Sequence, residues 1–406
     1  MLVYVLNKNG EPLMPCKPQR ARKLLKEGKA KVVSRTPFTI QLQFGSTGYK
    51  QTVVTGMDTG SKVIGCAAIS NGKVVYQSQV KLRTDIKKKM DQRRMYRSNR
   101  RNRKTRYRKP RFLNRKNPTM FGRLPPSVKS KVQSHFREKK QVEMILPVTR
   151  WNVETASFDI HKITNPEVSG RGYQEGKQKD YYNVKAYVLD RDGYKCHSKQ
   201  KVKHSEKLHV HHIVFRSNGG TDEPGNLITL CERCHKDLHD GKFEIKGQKS
   251  KTKHATQVSI IKEALKKNWS FKETFGYETK FKRETILKLP KTHFNDAAAI
   301  CCEHGELVEP SPIVYKKVHV SKGDYQLHKG QRSEKKIPVG KLFGIKKFDY
   351  VNTQKGKGFI KGRMSTGYAV LMDIEGKTTI TSTTIKKGCK RLSARSTTLI
   401  DFEHCA

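Results

Sequence analysis

The sequence predicts a multidomain α/β protein, and three observations lead there. Residues 52–82 read as three strands in succession, TVVTGMDTG, KVIGCAAIS and KVVYQSQVKL, separated by Gly, Ser and Asn turn signals. Residues 183–240 concentrate histidines and cysteines in a strand-then-helix pattern. Beyond residue 310, short β-type runs such as GYAVLMDI and TTITSTTI are punctuated by KGKG and EGK, which suggests a small, basic, β-rich domain. With 406 residues and 34% hydrophobic content, the chain suits roughly two to four domains rather than one large core.

Charge narrows the partners. The 85 Lys and Arg against 36 Asp and Glu give a formal net charge of +49, and such an excess repels itself unless a polyanion neutralises it. Nucleic acid is the expected partner, although a ribosomal or chromatin protein would explain the charge equally well. No run of 18 apolar residues occurs, and the start, MLVYVLNKNGEPLMP, lacks the pattern of a secretory signal. A soluble, intracellular protein without membrane contact is therefore expected. Of nine cysteines, Cys231 and Cys234 form a CxxC pair, Cys196 precedes it, and Cys16, Cys66, Cys301, Cys302, Cys389 and Cys405 are scattered, so the spacing suits one metal site and no disulfide framework.

Along the chain, residues 1–50 alternate short β-like runs (LVYVLN, KVVS, TIQLQF) around a basic helical stretch, ARKLLKEGKA. From 81 to 116, 18 of 36 residues are Lys or Arg. Arg93, Arg97, Arg100, Lys104 and Arg108 follow three-and-four spacing, with Arg94 and Arg101 beside them, so one helical face would carry cations over several turns. A charge run is usually a solvated tail. This one lies between two core segments, which favours an arginine-rich helix that grips phosphates. Residues 127–148 read as helix, and TRWNVETASFD as a strand carrying Glu154. Helical periodicity returns at 256–269 (Val258, Ile261, Leu265, Trp269) and in THFNDAAAICCE at 292–303.

Two groups of residues carry chemistry. In 183–240 a His211-His212 pair ends a short β-run, Asn226 precedes an apolar strand, and His235 and His239, one helical turn apart, follow CxxC. Adjacent histidines on such a strand can divide labour, one binding a divalent metal and the next activating water for attack on phosphorus. Asp58 in GMDTGSKVIG, Glu154 in NVETASFD and Asp296 in HFNDAAAI each lie in or beside an apolar stretch of a sequence poor in acids. Singly, each could be a turn or cap residue. Together they could hold two ions for phosphodiester hydrolysis, because such ions need carboxylates converging from distant parts of the chain.

The 183–240 segment resembles the HNH nuclease family. The resemblance implies a ββα-metal domain in which His212 is the general base, His211, His235 and His239 bind the metal, and Asn226 holds the loop that carries the base. Cysteine doublets beside HNH sites often bind structural zinc. Here Cys231 and Cys234 are intact, but Cys196 is followed by Lys199 where its partner would fall, so either His197 or His204 supplies a fourth ligand or the Zn2+ site is lost. The three acidic segments resemble the RuvC motifs of an RNase H-like core. That resemblance implies metal ligation by Asp58, Glu154 and Asp296, with His293 assisting proton transfer or orienting water.

The order of parts resembles IscB, the transposon-encoded relative of type II CRISPR effectors, down to PLMP at Pro12 to Pro15. On that resemblance the domains are a PLMP domain (1–50), RuvC-I (51–82), an arginine-rich bridge helix (83–118), RuvC-II (119–160), HNH with linkers (161–255), RuvC-III (256–310) and a β-rich carboxy-terminal domain (311–406) that contacts RNA and a short target-adjacent motif. What it implies is an RNA-guided double-stranded DNA endonuclease with an ωRNA guide and scaffold, Mg2+ or Mn2+ at both nuclease sites, HNH cutting the guide-paired strand and RuvC the displaced one. The expected form is a monomeric ribonucleoprotein, cytoplasmic and associated with the nucleoid of a prokaryote. Two rivals stand beside it. A protein-only, homing-type HNH endonuclease leaves the three acids without a role, and a non-enzymatic zinc-finger protein wastes the His211-His212 pair.

Overall fold

The computed structural model describes residues 2–46, 48–101, 124–155, 183–198, 202–215, 222–245, 252–302, 308–321, 343–364, 366–386 and 388–404, with residues 200 and 220. They divide into two compact units, one of Met1–Ala156 with Ile260–Ala406 and one of Ser157–Ser259.

The first unit opens with β1 (Val3–Leu6), β2 (Pro12–Cys16), α1 (Pro18–Lys26), β3 (Ala30–Arg35) and β4 (Phe38–Leu42), the strands ordered β2-β1-β4-β3. Val3, Val5, Leu13, Ala21, Ile40 and Leu42 form its core. The PLMP segment is itself strand β2, which the sequence did not signal. Pro12 and Pro15 lack an N–H to donate, and they are tolerated because β2 lies at the edge of this sheet.

Next come β5 (Val54–Asp58), β6 (Val63–Ser70), β7 (Lys73–Lys81), α2 (Ile86–Arg101), α3 (Pro126–Glu143) and β8 (Arg150–Glu154). Asn71 and Gly72 both take positive φ, 48° and 69°, the backbone of a two-residue hairpin turn whose twist suits the flanking strands. Arg93, Arg94 and Arg97 are exposed on α2. Arg100 and Arg101 lie on its last turn, and Lys104 and Arg108 fall outside the described residues.

The second unit contains α4 (Val184–Arg191), β9 (Leu208–His212), β10 (Leu227–Cys231) and α5 (Glu232–His239). The Asn183 side chain accepts the Ala186 N–H at 2.9 Å and so starts α4. β9 and β10 pair antiparallel, with His211 opposite Ile228. Leu230, Cys231 and Cys234 are the buried centre of this small unit.

The chain continues through α6 (Thr252–Asn268), β11 (Lys272–Thr274), α7 (Gly276–Phe281), a π-helical turn (Lys282–Ile286), α8 (His293–Cys301) and β12 (Ile313–His319). It ends in β13 (Tyr350–Thr353), β14 (Gly356–Arg363), β15 (Tyr368–Met372), β16 (Thr378–Thr384), β17 (Lys390–Ser393) and β18 (Thr398–His404). One seven-stranded sheet has the order β11-β8-β5-β6-β7-β12-β18, and a five-stranded sheet has the order β16-β15-β14-β13-β17. The segment expected as a 311–406 domain contributes to both sheets. Its first and last strands belong to the seven-stranded sheet, where β12 runs parallel to β7 and pairs antiparallel with β18. Such edge pairings join residues far apart in sequence and leave no local signal.

Side chains of β5 and β6 alternate between the two faces of this sheet. Met57, Ile64, Cys66 and Ala68 join a core with Val128, Val132 and Val142 of α3 and with Ile261 and Leu265 of α6. The opposite face receives α8, whose Ala297, Ala298 and Cys301 pack on Ala67 and Ile69. The approach is close. A Cβ at Gly56 would lie 2.2 Å from the Ala297 carbonyl oxygen, and one at Gly65 would lie 1.8 Å from that of His293.

A buried ion pair ties α3 to the sheet. Lys317 Nζ lies 2.8 Å from Glu138 Oε2, with side chains 2% and 0% exposed. Tyr76 and Ser78 hydroxyls donate to Glu138 Oε1 at 2.9 and 2.7 Å. Burial pushes the Glu138 carboxyl up, but Lys317 and the two hydroxyls outweigh it and hold it below its usual range. Lys317→Met alone would strand a buried carboxylate and is expected to cost about 3–5 kcal/mol in urea unfolding. The double replacement with Glu138→Leu is expected to recover most of that loss.

Candidate functional site

The histidine site is built on β9 and α5. Period-two alternation sends His211 and His212 to opposite faces of β9, while His235 and His239, four apart on α5, share one helical face. The ligand nitrogens of His211, His235 and His239 gather within 4.8 Å of one another. Burial, and then the neighbouring histidines, depress the His211 pKa to about 4, and burial also lowers that of His235. Neutral imidazoles keep their lone pairs free, so this trio fits a divalent cation.

His212 has different surroundings. Its Nε2 lies 2.7 Å from Asp222 Oδ1, an arrangement that favours the tautomer with the proton on Nε2 and the lone pair on Nδ1. Asn226 clamps the turn after β9: its Oδ1 accepts the Val214 N–H at 2.9 Å and its Nδ2 donates to the Val214 carbonyl at 3.0 Å. Gly220 closes that turn at a point where a Cβ would sit 1.7 Å from the Val214 carbonyl oxygen.

A second group in this unit contains Cys196, His204, Cys231 and Cys234, with donor atoms also within 4.8 Å of one another. His204 Nδ1 is 3.6 Å from Cys231 Sγ and 3.5 Å from Cys234 Sγ. His197 is turned away, its Nε2 lying 3.0 Å from the Asp192 carbonyl oxygen. Position 199 lies outside the described residues. Three thiols and one imidazole form a donor set suited to zinc. Burial works against ionisation of Cys231, but the backbone N–H groups of Cys234 and Ser205 and the His204 side chain bring that thiol below its ordinary range.

The carboxylates belong to the other unit. Asp58 ends β5 and Glu154 ends β8, and parallel pairing places them side by side. Thr292 caps α8 by accepting the Asn295 N–H, which places His293 and Asp296 on its first turn. His293 Nδ1 lies 2.6 Å from Asp58 Oδ2. Arg283, 3% exposed, places its Nε 2.9 Å from Asp296 Oδ1. Burial, and then Asp58 and Asp296, raise the Glu154 pKa to about 7 against the pull of Thr279 and His293. Among the described residues the carboxylates do not form as tight a group as the histidines or cysteines. Like charges repel, and two of the three acids are paired with His293 and Arg283.

Comparison with known proteins decides the nature of the second unit. Residues 194–241 match the HNH endonuclease family model, which spans the histidine and cysteine groups. The chain carries an HNH endonuclease domain. This is a metal-dependent nuclease module, and the histidine trio within it is a group that could hold a metal ion. Residues 3–176 match a second family, described as RRXRR protein. A 101-residue stretch is 30% identical to the type IV methyl-directed restriction enzyme EcoKMcrA of Escherichia coli (strain K12), covering 22% of this chain and 36% of that protein. Another 66 residues are 29% identical to anaredoxin of Nostoc sp. (strain PCC 7120 / SAG 25.82 / UTEX 2576), covering 16% of this chain and 84% of that protein. The chain thus spans about a third of the length of the restriction enzyme.

Asp222 and Arg283 carry no local signal in the sequence. Asp222, ten residues beyond His212, has no motif to mark it, and Arg283 is one cation among 85. Asp222→Asn keeps the shape but weakens the acceptor for His212. It is expected to slow cleavage by the HNH domain about 10-fold, the effect of loosening the orientation of the His212 ring, as read by nicking assays. His204→Ala is expected to remove zinc from the purified protein and His204→Cys to retain it, as measured by elemental analysis.

Proposed function

We propose that the protein is a metal-dependent DNA endonuclease guided by RNA, with one nuclease site in the HNH domain and a second at Asp58, Glu154 and Asp296. One observation carries the two-site reading: the chain enters the HNH domain after Glu154 and leaves it before Asp296, yet Asp58 and Glu154 end adjacent strands and Asp296 lies on the first turn of the helix whose His293 meets Asp58. Strands β7-β6-β5-β8-β11 support it further, being antiparallel through the first three and parallel through the last pairs. In order of chain appearance that is 3-2-1-4-5, the order of an RNase H-like core. The RRXRR match, the exposed arginines of α2 and the net charge of +49 support a large RNA partner.

At the HNH site, His211, His235 and His239 would hold a divalent ion, which supplies positive charge to the phosphate being attacked. His212 takes the proton from water at Nδ1, Asp222 keeps the ring oriented, and Asn226 fixes the loop. At the carboxylate site, Asp58, Glu154 and Asp296 would hold Mg2+ or Mn2+, and His293 orients water or carries its proton. Cys196, His204, Cys231 and Cys234 would hold a structural zinc. On the same reading an ωRNA supplies scaffold and guide, the HNH domain cuts the guide-paired strand and the carboxylate site the displaced strand, and contacts to a short flanking motif come from the five-stranded sheet. No helix among the described residues is long and apolar enough to cross a membrane.

The likeness to a restriction enzyme favours a second reading, a protein-only HNH endonuclease that itself recognises DNA. Protein purified from cells that also express the noncoding RNA next to its gene separates the two. Cutting of a plasmid matched to the bound RNA supports RNA guidance, whereas RNA-free protein that cuts equally well overturns it. Within the guided reading, His212→Ala is expected to abolish nicking of the guide-paired strand and Asp58→Ala nicking of the other, resolved on strand-labelled DNA. Neutralising Arg93, Arg97, Arg100 and Lys104 together is expected to flatten the salt dependence of RNA binding by about one unit per lost phosphate contact.

A further inference from the structure

Beside the carboxylate site lies a pair of aromatic side chains with no place in any core. Phe275 and Tyr277 stack with ring centroids 5.9 Å apart and planes 6° from parallel. They are 43% and 71% exposed, and Phe281, one turn further along the Tyr277 face of α7, is 60% exposed. Both tryptophans of the chain, by contrast, are buried. Three large aromatic rings exposed within seven residues mark a contact surface rather than a fold requirement.

Their position says what they contact. Gly276, between the two rings, runs so close to the site that a Cβ there would lie 3.1 Å from Glu154 Oε1. Thr279, on the next turn, hydrogen-bonds the same carboxylate. On the strand side, Thr274 of β11 pairs in parallel register with Glu154. The aromatic pair is therefore fixed at the margin of the carboxylate group, with exposed Lys280 on the same helix and exposed Lys291 near His293 and Asp296. A strand of nucleic acid entering the site would meet flat apolar rings and positive charge together, the combination that binds unpaired nucleotides without regard to sequence.

We propose that Phe275 and Tyr277 form a stacking platform for an unpaired base of the DNA strand that is cut at Asp58, Glu154 and Asp296. The platform holds the strand as its phosphate enters the site, and it selects single-stranded over paired DNA because a base inside a duplex has no free face. This rests on the reading of the carboxylates as a nuclease site.

The test uses the full-length protein with its copurifying RNA. A bubble duplex carrying 2-aminopurine in its unpaired strand is bound in Ca2+, and strand-specific cutting is then read in Mg2+. Quenching of 2-aminopurine by the native protein, lost in F275A/Y277A and retained in F275W/Y277W, is the expected result. Cutting of the unpaired strand should fall about 10- to 100-fold in the alanine variant, the range for losing one or two stacking contacts, and should survive in the tryptophan variant. Cutting of the opposite strand by the HNH domain reports that each variant is folded. Unchanged quenching and cutting in F275A/Y277A, with Asp58→Ala still inactive on that strand, would overturn the platform alone. Asp58→Ala that cuts the strand normally would overturn the nuclease reading, and the platform with it.

Discussion

The close approach of α8 to the central sheet is the contact on which the carboxylate site depends. Gly56 and Gly65 remove the side chains that would hold the helix away, so the α8 backbone touches β5 and β6 directly. A helix held at ordinary side-chain distance would place His293 and Asp296 beyond reach of Asp58. Because it sits closer, the imidazole meets the Asp58 carboxylate, and Asp296 turns towards the buried Arg283. The other face of the sheet is ordinary by comparison, with Val, Ile and Leu side chains from α3 and α6 filling the core. The ion pair of Lys317 and Glu138 within that core ties α3 to β12.

In the HNH domain, order comes from polar groups and sulfur rather than from apolar area. Its buried apolar centre is small, and two of its three most buried members are Cys231 and Cys234. A unit of this size gains from a bound ion that fastens distant loops. The two donor groups share α5, which supplies Cys234 to one and His235 and His239 to the other. A helix N-terminus that leads into both is a compact means of aligning them.

Much of the HNH domain was legible because its chemistry is written in short range. A histidine pair on a strand, an asparagine before the next strand and two histidines one turn apart each declare a local geometry. The fourth sulfur-site ligand was not legible to that degree. Sequence left His197, His204 or a lost site open, and only tertiary structure set His204 beside Cys231 and Cys234 and His197 at the Asp192 carbonyl. That the strands at both ends of 311–406 join the seven-stranded sheet was not legible for a related reason. A β-strand carries its period in the sequence but not the identity of its neighbour.

By itself, then, the sequence determined the periodic elements, the excess of positive charge and the histidines, cysteines and acids offered as candidates for chemistry, because these depend on side-chain type and on spacing within a turn or a strand. Tertiary structure alone decided which of those residues meet. It placed Asp222 against His212, Arg283 against Asp296, and a pair of exposed aromatic rings beside Glu154. Each of those contacts joins groups that lie on different elements or across a loop. Whether they meet is set by the packing and closure of the whole fold, not by any local preference.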